Sequence, residues 1–374
     1  MSKSGRKSIV VVGGGAAGAT ITRILSSKID ASTTSLTLVT ARPFALHLPA
    51  TIRMTTTSEG KLEDSVLIPY ESLLVKDNGT IKIGRVTAIE QGKEGRDGTV
   101  ILSTNERIHY DFLVLAPGSE WEGPLAFPDD RAAVLEHIRS WRRKFENAKT
   151  GIILAGGGAV GIEYAGEIKD AFPNKKVTIV HSDSQLLNSV YPDKYRKRIE
   201  KDITSRGVNI VFNDYVDDFD SAPVKTRSGR LLEGDVVVPT FGSRPGTGFV
   251  KSLSSSALNP RGQIKIENTF QLKSYTNIYA IGDVTDWTEQ KQAAKAPKHA
   301  EIAAANILAQ INGGEPKKTY SGQTELIIVT NGKKQGVSYV GMLWGITLGN
   351  WFSSSMKGKE LMVSMMRKAY GLAK

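Results

Sequence analysis

The 374-residue sequence contains no cysteine. That absence excludes disulfide frameworks, thiolate metal sites and any redox relay through a cysteine pair. Histidine is scarce too: five residues, none paired at ligand spacing, argue against a metal site. No run approaches the ~20 apolar residues needed to span a bilayer. The opening Met1-Ser-Lys-Ser-Gly-Arg-Lys7 has no apolar signal core and no glycine at position 2, so neither secretion nor N-myristoylation is expected. Acidic groups are in the minority, 38 Asp and Glu against 49 Lys and Arg, for a formal charge of +11. Such a balance suits anionic partners (acidic lipid, nucleic acid, phosphate-rich cofactors) or is simply a solvated basic surface.

What is present is glycine, 37 residues of it, and an internal repeat. Ser8-Ile-Val-Val-Val12 reads as a strand and Gly13-Gly-Gly15-Ala16-Ala17-Gly18 as a tight turn. An apolar-periodic stretch to about Leu25 then reads as a helix, and Leu36–Val39 is a second strand that closes a parallel βαβ unit. In a GxGxxG turn Gly13 permits the sharp bend, Gly15 lets the backbone approach a pyrophosphate, and Gly18 lets helix and strand pack closely. The runs Val86–Ile89, Thr99–Leu102 and Phe112–Leu115 predict an antiparallel meander inserted into the sheet. Then the pattern returns 143 residues on: strand Gly151–Ala155, turn Gly156-Gly-Gly158-Ala-Val160-Gly161, helix to about Phe172, strand Lys176–Val180. Asp235–Val238 adds a strand that runs into Thr240-Phe-Gly242.

Two dinucleotide loops in one chain call for two dinucleotides, most simply a resident flavin, FAD, and a visiting NADH or NADPH. Tyr279-Ala-Ile-Gly-Asp283 assigns them: an Asp at a strand end accepts hydrogen bonds from ribitol hydroxyls. The following Ala-rich helix, expected over Lys291–Ile311, would turn its positive N-terminus toward the isoalloxazine. Neither second strand ends in the carboxylate that usually binds ribose; the residues there are Thr40-Ala-Arg42 and His181-Ser-Asp183. Arg42 then meets adenine or phosphate, and His181 either lines the second site or is a solvated strand end. Without that acid, NADPH stays open beside NADH. Glu163, in the first turn of the second helix, either complements the helix dipole or contacts the nicotinamide or its ribose.

The expected architecture is α/β, with two Rossmann-like dinucleotide-binding domains and a smaller C-terminal α+β region. The FAD domain is discontinuous, residues 1–120 and 247–314, with the NAD(P)H domain, 121–246, inserted and an acceptor region at 315–374.

Gly13–Gly18, Ala116-Pro-Gly118-Ser119, Gly156–Glu163, Thr240–Gly242 and Tyr279–Asp283 occur in the order of the pyridine-nucleotide-dependent flavoproteins, which the sequence resembles nearly end to end. More narrowly it is similar to the apoptosis-inducing-factor-like branch with its ferroptosis suppressor proteins. The matches are Gly161-Ile-Glu163, Gly166–Lys169, Val177–Ser182 and Asn277–Asp283, with His299 in the helix beyond. That resemblance implies an NAD(P)H:quinone oxidoreductase at a membrane surface. By position it implies that Arg42, Arg53, Val86, Ala116, Asp283 and Lys291 line FAD. Glu163 and Gly242 would face the nicotinamide nucleotide, and Lys368 would lie near flavin and acceptor. It places the protein inside the cell, cytoplasmic or peripheral to the mitochondrial outer membrane, lipid droplets or plasma membrane, as monomer or homodimer.

Thr40 for the carboxylate, Pro117 for threonine and the missing myristoylation signal mark a divergent relative. Trp344, Trp351, Phe352, Leu361, Met362, Met365 and Met366, interspersed with Lys357, Lys359, Arg367 and Lys368, suit either an interfacial element or a core-covering region with a basic outer face. Two other readings share these motifs: a ferredoxin-type reductase with a protein acceptor, and a DNA- or lipid-binding signalling flavoprotein.

Overall fold

The computed structural model describes residues 5–76, 78–92, 95–221, 223–342 and 345–372. Strand β1 (Lys7–Val12) turns through the first glycine run into helix α1 (Ala16–Lys28), which returns to β2 (Thr34–Thr40). Ile9, Val10 and Val11 are fully buried because both faces of the strand are covered. Helix α2 (Leu48–Thr56) follows, with proline in its first turn, then strand β3 (Gly79–Ile83).

The meander is β4 (Val86–Gln91), β5 (Gly98–Leu102) and β6 (Arg107–Tyr110), antiparallel throughout. Its third strand was misplaced by the sequence pattern. Phe112–Leu115 is a separate strand, β7, buried at every position and parallel to β1. A continuously apolar run belongs in a doubly covered parallel sheet, whereas the alternating Arg107–Tyr110 suits a half-exposed meander.

The second unit repeats the first. It comprises β8 (Ile152–Ala155), helix α3 (Ala159–Ala171), β9 (Val177–Val180), β10 (Val208–Val211) and β11 (Val236–Pro239), in the parallel order β10-β9-β8-β11. The chain then returns to the first sheet through β12 (Ile278–Ala280), completing the parallel order β12-β7-β1-β2-β3. Helix α4 (Ala296–Ile311) packs on α1. It starts five residues later than expected, with Pro297 in its first turn, where the missing N–H costs nothing.

A three-stranded antiparallel sheet, β13 (Leu326–Thr330), β14 (Gly336–Val340) and β15 (Ile346–Leu348), precedes short helical turns and helix α5 (Val363–Ala369). This region packs into both cores: Val329, Val337, Leu361 and Val363 join the cluster around the second sheet, and Met366 and Leu372 pack against that of the first. Among the described residues no helix is long and apolar enough to cross a membrane.

Candidate functional site

The two glycine loops share one backbone plan. Gly13 and Gly156 both take positive φ, +104° and +133°. A Cβ on Gly13 would lie 2.2 Å from the Ala116 carbonyl oxygen, and one on Gly156 2.7 Å from the Phe241 nitrogen. Gly18 and Gly161 let helix meet strand: a Cβ there would sit 1.8 and 2.0 Å from the carbonyl oxygens of Gly13 and Gly156. Gly15 and Gly158 are different, since a Cβ on either would meet no atom of the described residues within 4 Å. Each is the N-cap of its helix, extended at φ −72° and −74°, and neither helix has a side-chain cap or an acid in its first turn; Glu163, expected there, is the fifth residue of α3 and falls just beyond it. The first-turn amides carried by Ala16 and Ala17, and by Ala159 and Val160, thus lack an internal anion. An open glycine before an uncapped helix is what a pyrophosphate requires, so both loops fit the dinucleotides expected of the sequence.

A cavity of about 1260 Å³ opens on the first loop, lined by Gly13, Gly15, Arg42, Val86 and Gly118 among others. The Arg42 guanidinium donates to the carbonyls of Phe127 at 2.6 Å and Pro128 at 2.9 Å, which holds it on the cavity wall. Ala116, expected to line FAD, is buried behind Gly13 and does not itself line the cavity. Asp283, expected to line FAD, is not itself on the cavity wall; it accepts at 2.9 Å from the Oγ of Ser119, which is, and the preceding Gly282 lies against Ala17 in the first turn of α1.

Arg53 corrects the sequence reading. It does not face this cavity: its Nε and Nη2 pair with both oxygens of Glu167 at 2.8 Å, and Nη2 and Nη1 donate to the carbonyls of Gly358 at 2.7 Å and Lys359 at 3.1 Å. The guanidinium is spent on bolting the C-terminal region to α2 and α3. His47 does the same nearby, donating from Nε2 to the Leu361 carbonyl at 2.6 Å.

The second cavity, about 970 Å³, is lined by Gly156, Gly158, His181, Gly242 and Lys291. His181 Nδ1 accepts from the Gly157 N–H at 3.1 Å, which places the imidazole proton on Nε2. That buried Nε2 has no partner among the described residues, and burial pushes the imidazole pKa down, so the neutral ring keeps an N–H to donate. Asp183, just beyond it, also lines this cavity, so a carboxylate is present near the end of β9 even though the strand does not end in one. Lys291 lines this cavity rather than the first; its Nζ donates to the Trp287 carbonyl at 2.8 Å, and burial lowers its pKa.

Glu163, expected to face the nicotinamide nucleotide, lines neither cavity: it is 5% exposed, and one of its oxygens, Oε1, gathers three donors. They are Lys357 Nζ at 2.6 Å, the Thr330 N–H at 3.0 Å and Thr330 Oγ1 at 3.1 Å. Lys357 itself lines the second cavity beside Ile327, Ile328 and Met362. In the sequence Lys357 is one of several basic residues of the terminal stretch, and the family resemblance points to Lys368 instead. Lys368 is exposed on α5 and lines neither cavity, so the lysine near the site is Lys357. Nothing local marks Lys357 in the sequence, because its partner lies 194 residues away.

Residues 7–305 fit the family model described as pyridine nucleotide-disulphide oxidoreductase. The chain belongs to this family. Without cysteine it is a family member that cannot carry the disulphide. Among curated relatives, the FAD-dependent oxidoreductase FVFD30 of Flammulina velutipes is 43% identical over 86% of this chain and all of its own length. Ferroptosis suppressor protein 1 of Taeniopygia guttata is 28% identical, covering 99% of this chain and 98% of its own, which bears out the branch read from the sequence. A sulfide:quinone oxidoreductase structure from Aquifex aeolicus superposes with a TM-score of 0.77 at 18% identity, over 97% of this chain and 90% of that one, and shows the shared fold.

Proposed function

We propose that this protein passes two electrons from NADH or NADPH, through FAD on the first loop, to a quinone-like acceptor. It is an FAD-dependent NAD(P)H oxidoreductase; the acceptor and the loop assignment are the proposal. The observation that carries it is a pair of matching uncapped loops opening on two cavities, with a buried Lys357–Glu163 pair at the second. FAD, when bound, supplies the two-electron relay between nucleotide and acceptor. The residues that would hold it are Gly13–Gly18, Arg42, Val86, Gly118 and Asp283; those for the nicotinamide nucleotide are Gly156–Gly161, His181 and Gly242.

The net reaction is NAD(P)H + H⁺ + quinone → NAD(P)⁺ + quinol. One hydrogen of the quinol comes from the nucleotide and one proton must come from water by way of the protein. Lys357 is placed to deliver that proton: its ammonium borders the cavity, oriented by Glu163 and the Ile328 carbonyl at 3.3 Å. Ile327, Ile328 and Met362 give the same wall an apolar lining suited to an apolar ring. The described part of residues 315–374 supplies this wall, in keeping with an acceptor role; Trp344 lies outside the described residues. Trp351 and Met365, 84% and 61% exposed, together with exposed Lys359 and Lys368, favour peripheral contact with an anionic membrane.

The test is anaerobic addition of NADH to purified protein, then ubiquinone-1, following the flavin band near 450 nm. Bleaching by NADH and recovery on quinone supports the reading. Bleaching without recovery until ferredoxin is added moves the acceptor to a protein.

A further inference from the structure

The middle glycine of each loop has its carbonyl pinned, and the two loops do it differently. Gly157 O accepts from the Leu187 backbone N–H at 2.9 Å, a donor from the neighbouring loop. Gly14 O instead accepts from two phenols, Tyr70 at 3.1 Å and Tyr370 at 3.0 Å, whose rings lie 6.0 Å apart. Tyr70 follows the first unit's second strand in sequence, but Tyr370 arrives from 356 residues away. It is 2% exposed, just past the end of α5, and the chain around it is packed in place: Met366 and Leu372 touch the first core.

A trans peptide is planar, so its C=O and N–H point in opposite directions. Pinning the Gly14 carbonyl therefore aims the Gly15 N–H the other way, at the start of α1, where a Cβ on Gly15 would meet nothing within 4 Å. We propose that Tyr370 is a positioning residue for the first dinucleotide loop, so that retention of FAD depends on docking of the 363–372 segment. Burial pushes the Tyr70 hydroxyl up to about 12 and that of Tyr370 well above its ordinary value, so both remain donors at any working pH. The same stretch of chain carries Lys357 at one end and Tyr370 at the other, and so touches both nucleotide sites. The second loop, held by backbone, has no such dependence.

This inference rests on the reading that FAD occupies the first loop, and the experiment separates the two. FAD affinity of the apoprotein is measured by equilibrium dialysis for the full chain, Tyr370→Phe, Tyr70→Phe with Tyr370→Phe, and Gly15→Val. NADH affinity of the loaded protein and thermal melting of the apoprotein are measured alongside. Tyr370→Phe removes one hydroxyl and keeps the ring, so FAD should bind about three- to tenfold more weakly, the worth of one net hydrogen bond. The double variant should lose more, with NADH affinity unchanged in Tyr370→Phe and apoprotein melting lowered by no more than the loss of one hydrogen bond. Unchanged FAD affinity in Tyr370→Phe, with FAD lost in Gly15→Val, overturns the role of Tyr370. A parallel fall in FAD affinity, NADH affinity and apoprotein melting overturns it too, as general loosening. FAD retained by Gly15→Val overturns the loop assignment itself.

Discussion

Replacing Lys357 by methionine removes an ammonium and keeps most of the volume, which isolates the electrostatics of the pair with Glu163. The two side chains are 13% and 7% exposed, so this is a buried pair rather than a surface one. Breaking such a pair by removing one partner costs about 3–5 kcal/mol, because the other charge stays buried. Here the Thr330 N–H and hydroxyl, at 3.0 and 3.1 Å, still serve the carboxylate, which places the expectation near about 3 kcal/mol. Glu163→Gln should cost less, about 1–2 kcal/mol, since Lys357 borders a cavity that water can enter.

The double variant Glu163→Gln with Lys357→Met should then recover about 2 kcal/mol relative to the sum of the singles. Urea unfolding of the two singles and the double measures the coupling. A coupling under about 0.5 kcal/mol refutes the assignment of a buried charge pair. In the anaerobic assay Lys357→Met should slow acceptor reduction by about a hundredfold, the scale of a lost general acid.

Other outcomes follow from the geometry. Arg53→Met strands the carboxylate of Glu167, paired at 2.8 Å with 5% and 3% of the two side chains exposed, and should lower unfolding stability by about 3–5 kcal/mol. It should also expose the 358–361 segment to proteolysis, since the Gly358 and Lys359 carbonyls lose their donor. Gly161→Ala puts a Cβ 2.0 Å from the Gly156 carbonyl and should destabilise the protein by more than about 1 kcal/mol. Gly158→Val fills open space, so it should melt near the wild-type temperature while NADH binding collapses. Burial lowers the His181 pKa, so the unfolded state takes up the proton first and stability falls with acid through the window below about 6.5. Once protonated, Nδ1 can no longer accept from Gly157, so KM for NADH should climb across that window in wild type and stay flat in His181→Asn.

Both loops, their order and the strand–turn–helix context were legible in the sequence because each is a local unit. Tight turn, open cap and close helix–strand packing are all met within the six residues of each glycine motif. The family resemblance was legible for the same reason. Arg53 and Lys368 were placed by position in a motif order, and position does not reveal where a long side chain ends. Arg53 ends on Glu167 and Lys368 in solvent. Phe112–Leu115 was given to the meander because a short apolar run has no period of its own; the neighbours it pairs with decide its sheet.

By itself, then, the sequence determined the features whose physics is local: the duplicated loops, the glycine positions that demand positive φ or a missing Cβ, the lack of thiol chemistry, and with them the two-nucleotide oxidoreductase. Tertiary structure decided the contacts across the chain. It set Lys357 on Glu163 at 2.6 Å, spent Arg53 on a tether, and brought Tyr370 at 3.0 Å to the first loop. Those pairs are separated by 194, 114 and 356 residues, and at such distances the partner of a buried polar group is chosen by which surfaces the packed cores bring together.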